Sequence, residues 1–127
     1  MSGTILIIED DEIIRSIIFN LLELENFNVI SAVDGLNCLL IAQKFQPDLI
    51  IFDIDIPQLD GYSFLRNLRN DLSTANIPFV FITSNLDEDS RSQALQLGAN
   101  DYLTKPVKFG TLLNVISNQL KTPQVAC

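Results

Sequence analysis

The chain of 127 residues contains no histidine, which excludes a histidine base, a zinc site built on imidazole and any phosphohistidine on this chain. It has two cysteines, Cys38 within an apolar helical pattern and Cys127 at the very end, too few for a disulfide framework. Reduced thiols are expected, with Cys38 packing as a small hydrophobe. Lys and Arg together number eight against sixteen Asp and Glu, for a formal charge of -8. No stretch concentrates the basic residues, so the clustered cations that direct nucleic-acid binding requires are missing. Met1-Ser2-Gly3-Thr4 carries no basic leader and runs straight into a short strand-like segment, and no run of about 20 apolar residues follows. A cytoplasmic location is expected.

What is present is a regular alternation. The length suits one domain with a single core, and 47% hydrophobic residues favour a folded globule. Short runs rich in Ile, Val and Phe recur at 4–8, 28–32, 48–53, 77–82 and 99–103. Strands apolar on both faces belong to a parallel sheet covered by helices on each side. Helical spacing connects them: Glu12 to Glu25 places Ile14, Ile17, Ile18, Leu21 and Leu22 on one face as a buried stripe, opposite Arg15, Ser16, Asn20 and Glu23. Similar patterns run over 36–45, 62–72 (Phe64, Leu65 and Leu68 inward), 87–97 and 109–120. Asp34-Gly35, Gln46-Pro47, Asp60-Gly61 and Leu97-Gly98 act as turn or cap signals. The expectation is an α/β fold of five βα repeats over residues 1–121, with 122–127 as a short tail. Two strand orders fit, the flavodoxin-like 2-1-3-4-5 and a Rossmann half.

Charge gathers where such a sheet binds ligands, just beyond the carboxyl ends of its strands. Glu9 and Asp10 follow the first strand, Asp53 ends the third and Lys105 follows the fifth; in the 2-1-3-4-5 order the first and third strands are neighbours. Carboxylates about 4 Å apart repel by about 4 kcal/mol per pair at an effective dielectric near 20. A hard divalent cation with oxygen ligands relieves this, and Mg²⁺ (or Mn²⁺) suits a few carboxylates plus a phosphoryl oxygen. Metal and Lys105 together would neutralise transferring oxygens and prepare Asp53 to attack phosphorus. Thr83, closing the fourth strand, adds a hydroxyl at the same edge.

In order and at these spacings, Ile-Ile-Glu9-Asp10-Asp11-Glu12, Asp53-Ile-Asp-Ile-Pro57-Gln-Leu-Asp60-Gly61, Thr83-Ser84 and Tyr102-Leu-Thr-Lys105-Pro106 form a specific set. Over residues 4–121 the chain resembles bacterial response-regulator receiver domains, the chemotaxis regulator type among them. The resemblance implies a (βα)5 fold of order 2-1-3-4-5. It implies that Asp53 accepts a phosphoryl group from a sensor histidine kinase or phosphotransfer protein. Glu9, Asp10, Asp53 and the backbone carbonyl of Asp55 would hold Mg²⁺, Lys105 would pair with the phosphoryl group, and Thr83 would swing in to hydrogen-bond it. Tyr102 would follow from an exposed to a buried rotamer, and the Lys105–Pro106 bond would be cis. The signal would pass through the α4-β5-α5 face to a downstream protein partner. The resemblance implies a signalling switch that catalyses only its own phosphorylation and dephosphorylation.

Four positions bear on how the chain departs from the family's habit. Asp55 stands where receivers vary and often carry Met or Asn, and a further carboxylate here would oppose the phosphoryl charge or reach the metal through water, tuning the acyl phosphate's lifetime. Ser84 stands where a small residue leaves the acceptor open to water or donor. Val115 and Ser117 occupy positions where receivers joined to winged-helix domains place arginines for a salt-bridged dimer, which disfavours that dimer and leaves the oligomeric state open. With no output domain after Lys121, the chain reads as a stand-alone receiver or equally as one excised from a larger protein. Asp53-Ile54-Asp55 also matches the Asp-x-Asp pair of haloacid-dehalogenase-like phosphatases, but those place it after the first strand and have Thr or Val where Pro57 stands. A flavodoxin would need a Ser/Thr/Gly-rich phosphate loop that is lacking here.

Overall fold

A computed structural model describes residues 3–33, 37–56, 60–84 and 87–120. The elements alternate without exception: β1 (Thr4–Ile8), α1 (Glu12–Leu24), β2 (Asn28–Ala32), α2 (Cys38–Phe45), β3 (Leu49–Asp53), α3 (Gly61–Asn70), β4 (Phe79–Thr83), α4 (Glu88–Gln96), β5 (Asp101–Thr104) and α5 (Phe109–Leu120). All strands are parallel, in the order β2-β1-β3-β4-β5. This is the flavodoxin-like order, and the Rossmann half falls away. Pro57, the Asp34-Gly35 turn and the tail from 121 onward, Cys127 included, lie outside the described residues.

Alternation along each strand sends side chains to opposite faces, and here each face has its own core. Leu6, Ile8, Ile50, Phe52, Phe79 and Phe81 meet α2, α3 and α4 through Ala42, Phe64, Leu65, Leu68 and Ala94; buried Cys38 lies in this layer, as expected of a small hydrophobe. Ile5, Ile7, Leu49, Ile51, Val80 and Ile82 meet α1 and α5 through Leu22, Leu112, Val115 and Ile116. Val115 is thus committed to the core and offers no intermolecular surface.

The buried stripe expected on α1 is only half right. Leu22 is fully buried and Ile18 packs against the core, but Ile14 and Ile17 are exposed, the latter by 53%. Helical periodicity marks an apolar face without saying what covers it; here Ile14 and Ile17 border an open groove that Glu9 and Lys105 also line. Arg15, assigned to the polar side, turns back to donate from Nη1 to the Glu9 carbonyl at 3.0 Å.

Caps fix where the helices start. Asp11, Asp60 and Asp87 each accept backbone N–H bonds from the first turn of α1, α3 and α4, satisfying donors that a helix start leaves open. Asp60 has the capping role expected of it. At Gly61 an added Cβ would lie 2.9 Å from the Phe81 ring and 3.0 Å from Phe52, so glycine lets α3 approach the sheet.

Candidate functional site

The parallel register brings the strand ends together. Asp53 is the last residue of β3 and is paired with Ile82, one residue before Thr83; β1 lies on the other side of β3, so Glu9 follows directly beside it. The Lys105 N–H donates to the Thr83 carbonyl at 2.7 Å, which keeps the turn after β5 against the end of β4. The Lys105–Pro106 peptide is cis.

Glu9, Asp10 and Asp53 each offer a carboxylate oxygen within 4.8 Å of one another, and among the described residues they form the one acidic group so placed. Glu9 and Asp53 are only 4% and 3% exposed, whereas Asp10 is exposed. Burial, reinforced by the hydrogen bond and charge of Asp53, pushes the Glu9 carboxyl up to about 8. Buried acids this close cannot all ionise without compensation, so the cluster carries a proton or a cation. Lys105 supplies part of the answer: its Nζ donates to Asp53 Oδ2 at 2.9 Å and lies 3.4 Å from Asp55 Oδ2. Burial alone would lower the Lys105 pKa, but the bond and charge of Asp53 raise it, so the ammonium is a fixed positive charge.

Thr83 is 1% exposed, and its hydroxyl donates to Asp55 Oδ1 at 3.4 Å. Asp55 Oδ2 accepts the Ser84 N–H at 2.9 Å. Burial would raise the Asp55 pKa, yet the Ser84 and Lys105 bonds hold it below the usual value. Asp55 therefore turns toward β4 and β5 and stands outside the carboxylate group of Glu9, Asp10 and Asp53, a contact that sequence alone does not reveal. Asp53 in turn accepts the Asp55 N–H on Oδ1 at 2.9 Å, folding the loop after β3 back on the acid. Tyr102 lies inward, 6% exposed, with its ring edge-on to Phe81 at 6.2 Å. Burial and the neighbouring Tyr62 raise its phenol, opposed by a hydrogen bond with Thr83.

The comparisons with known proteins decide the family. The model of the response regulator receiver domain matches residues 5–117. The chain belongs to the response regulator receiver domain family. Among its relatives, the DNA-binding dual master transcriptional regulator RpaA of Synechocystis sp. is 40% identical over 109 residues, which is 86% of this chain and 45% of that protein. A putative response regulator from Chloroflexus aurantiacus superposes with a TM-score of 0.87 at 29% identity, covering 94% of this chain and 98% of that one. The chemotaxis response regulator CheY4 of Vibrio cholerae gives 0.86 at 27% identity, covering 94% and 100%. This receiver spans a quarter to just over half of the first curated relatives it matches. No helix among the described residues is long and apolar enough to cross a membrane.

The receiver also has a groove that the sequence pattern does not reveal. It encloses about 540 Å³ beside the acidic cluster, with Glu9 and Lys105 at one end and Ile14, Ile17, Pro106 and Val107 among its walls. Helical periodicity in the sequence points Ile14 and Ile17 toward the core, whereas both are exposed along this groove.

Proposed function

We propose that this receiver is a phosphoacceptor switch in a two-component relay, with Asp53 taking a phosphoryl group from a phosphohistidine on a kinase or phosphotransfer protein. The observation that carries this reading is the buried Asp53 carboxylate held between the Lys105 ammonium at 2.9 Å and the acidic pair Glu9 and Asp10. In the transfer an Asp53 oxygen attacks phosphorus, the new O–P bond forms as the P–N bond breaks, and the electron pair stays on the imidazole nitrogen. Lys105 offsets the charge on the moving oxygens, and Thr83 and the Ser84 N–H stand at the same edge to receive them. Glu9, Asp10, Asp53 and the backbone carbonyl of Asp55 would hold Mg²⁺ or Mn²⁺. The donor set fits, being all hard oxygen and including Glu9, a buried acid raised chiefly by burial and then by Asp53, whose ionised form a cation would stabilise. When bound, the ion supplies positive charge opposite the transferring oxygens.

A donor must cover the mouth of this pocket, and the apolar rim of Ile14, Ile17, Pro106 and Val107 beside Lys105 suits a helical donor with apolar side chains flanking its histidine. Thr83 and Tyr102 form the switch, which biases the α4-β5-α5 face toward a downstream protein. On that face Asp87, Arg91, Tyr102 and Thr104 line a shallow depression of about 170 Å³. Autonomous chemistry ends at Asp53, whose acyl phosphate forms and hydrolyses in place. Incubation with acetyl phosphate and Mg²⁺ should give at most one phosphoryl group per chain, lost with chelator. Continuous turnover of phosphate monoesters would instead favour a phosphatase using Asp53 and Asp55.

A further inference from the structure

Three donors converge on the Asp55 carboxylate: the Ser84 N–H at 2.9 Å, the Thr83 hydroxyl at 3.4 Å and the Lys105 ammonium at 3.4 Å. They come from the ends of β4 and β5, and Lys105 also holds the acceptor Asp53. A backbone amide, a hydroxyl and an ammonium aimed at one point make an anion site, and here a side chain of the chain itself fills it. The anion also engages the switch, since Thr83 is bonded to Asp55 while Tyr102 is buried with its phenol toward Thr83.

We infer that the Asp55 side chain is an internal surrogate for the phosphoryl group, occupying the donors that phosphorylated Asp53 would claim and holding Thr83 and Tyr102 inward until it is displaced. This rests on Asp53 being the acceptor. Two consequences follow from one contact. An incoming phosphoryl group must evict a carboxylate that already has its donors, so binding at the pocket is weakened. The inward arrangement is also partly populated without modification, so phosphorylation shifts the switch by less than it would with a neutral side chain at 55.

The experiment pairs beryllofluoride titration in Mg²⁺ with the NMR resonance of the Ser84 amide, in wild type, Asp55→Ala and the near-isosteric Asp55→Asn. The side chain is one-third exposed, so both variants should fold. Asp55→Ala should bind beryllofluoride about tenfold more tightly, as expected on removing a competing charged acceptor. Its Ser84 amide proton should move upfield and return downfield as beryllofluoride binds, while Asp55→Asn changes in the same direction by less. An unchanged Ser84 resonance, or beryllofluoride affinity equal to or below wild type, overturns the surrogate while leaving Asp53 as acceptor. Failure of acetyl phosphate to label Asp53 in wild type overturns both readings together.

Discussion

At the scale of single residues, the site is a problem in placing negative charge. Glu9 is raised from 4.5 to about 8, chiefly by burial and then by Asp53. Between those values the folded chain keeps a proton that the unfolded chain releases, so without divalent cations stability should fall as pH rises through this window. Thermal melting in chelator at pH 5, 6.5 and 8 should show the decline, and Glu9→Gln should flatten it. Because a bound cation must displace that proton, the stabilisation given by Mg²⁺ should be greater at pH 8 than at pH 6; the opposite order would contradict Glu9 as a ligand. Thr83→Ala should still accept a phosphoryl group from acetyl phosphate but lose the accompanying change at Tyr102, read by NMR of the tyrosine ring. Glu9, Asp10, Asp53, Thr83 and Lys105 could be singled out from sequence because each ends or follows a strand, and a parallel sheet brings strand ends together. The partners of Asp55 could not, since they depend on a rotamer and on the path of the loop after β3.

Elements were legible in kind and order, less so in extent. The expected strands at 77–82 and 99–103 begin two residues late, at Phe79 and Asp101. The cause is a polar clamp: Arg69 donates to the carbonyls of Ala75, Ile77 and Gly98 and to Asn100 Oδ1, while Asn100 Oδ1 also accepts the Phe79 N–H. These bonds take groups that a longer strand ladder would use, and burial lowers the Arg69 pKa. An arginine on α3 gives no sequence sign that its charge will turn toward the edge of β4. On the same helix, Gly61→Ala should cost about 1–3 kcal/mol through crowding against Phe81 and Phe52, measured by chemical denaturation; no loss of stability would contradict the close approach. On α1, Ile17→Lys should slow transfer from a phosphorylated histidine donor by about tenfold, on the scale of losing one well-packed interface side chain. Labelling by acetyl phosphate, which needs no protein docking, should be unchanged. Equal slowing of both would mean that the substitution disturbs the pocket and not a docking rim.

Over the whole molecule, one topological fact organises the chemistry. Placing β1 beside β3 puts the acidic pair next to the acceptor, and placing β4 and β5 on the other side brings a hydroxyl and an ammonium to face them. The same sheet buries apolar side chains on both faces, so the polar groups are confined to its carboxyl edge, where helix starts and loops leave room for a donor. The central claim is that Asp53 is the acceptor, and borohydride reduction of the acetyl-phosphate-treated chain tests it most directly, because the reagent converts an aspartyl phosphate to homoserine that peptide mass spectrometry can locate. Homoserine at position 53, formed with Mg²⁺ and missing in chelator, is the result expected; modification at another acid, or persistence of the label in Asp53→Asn, would contradict it.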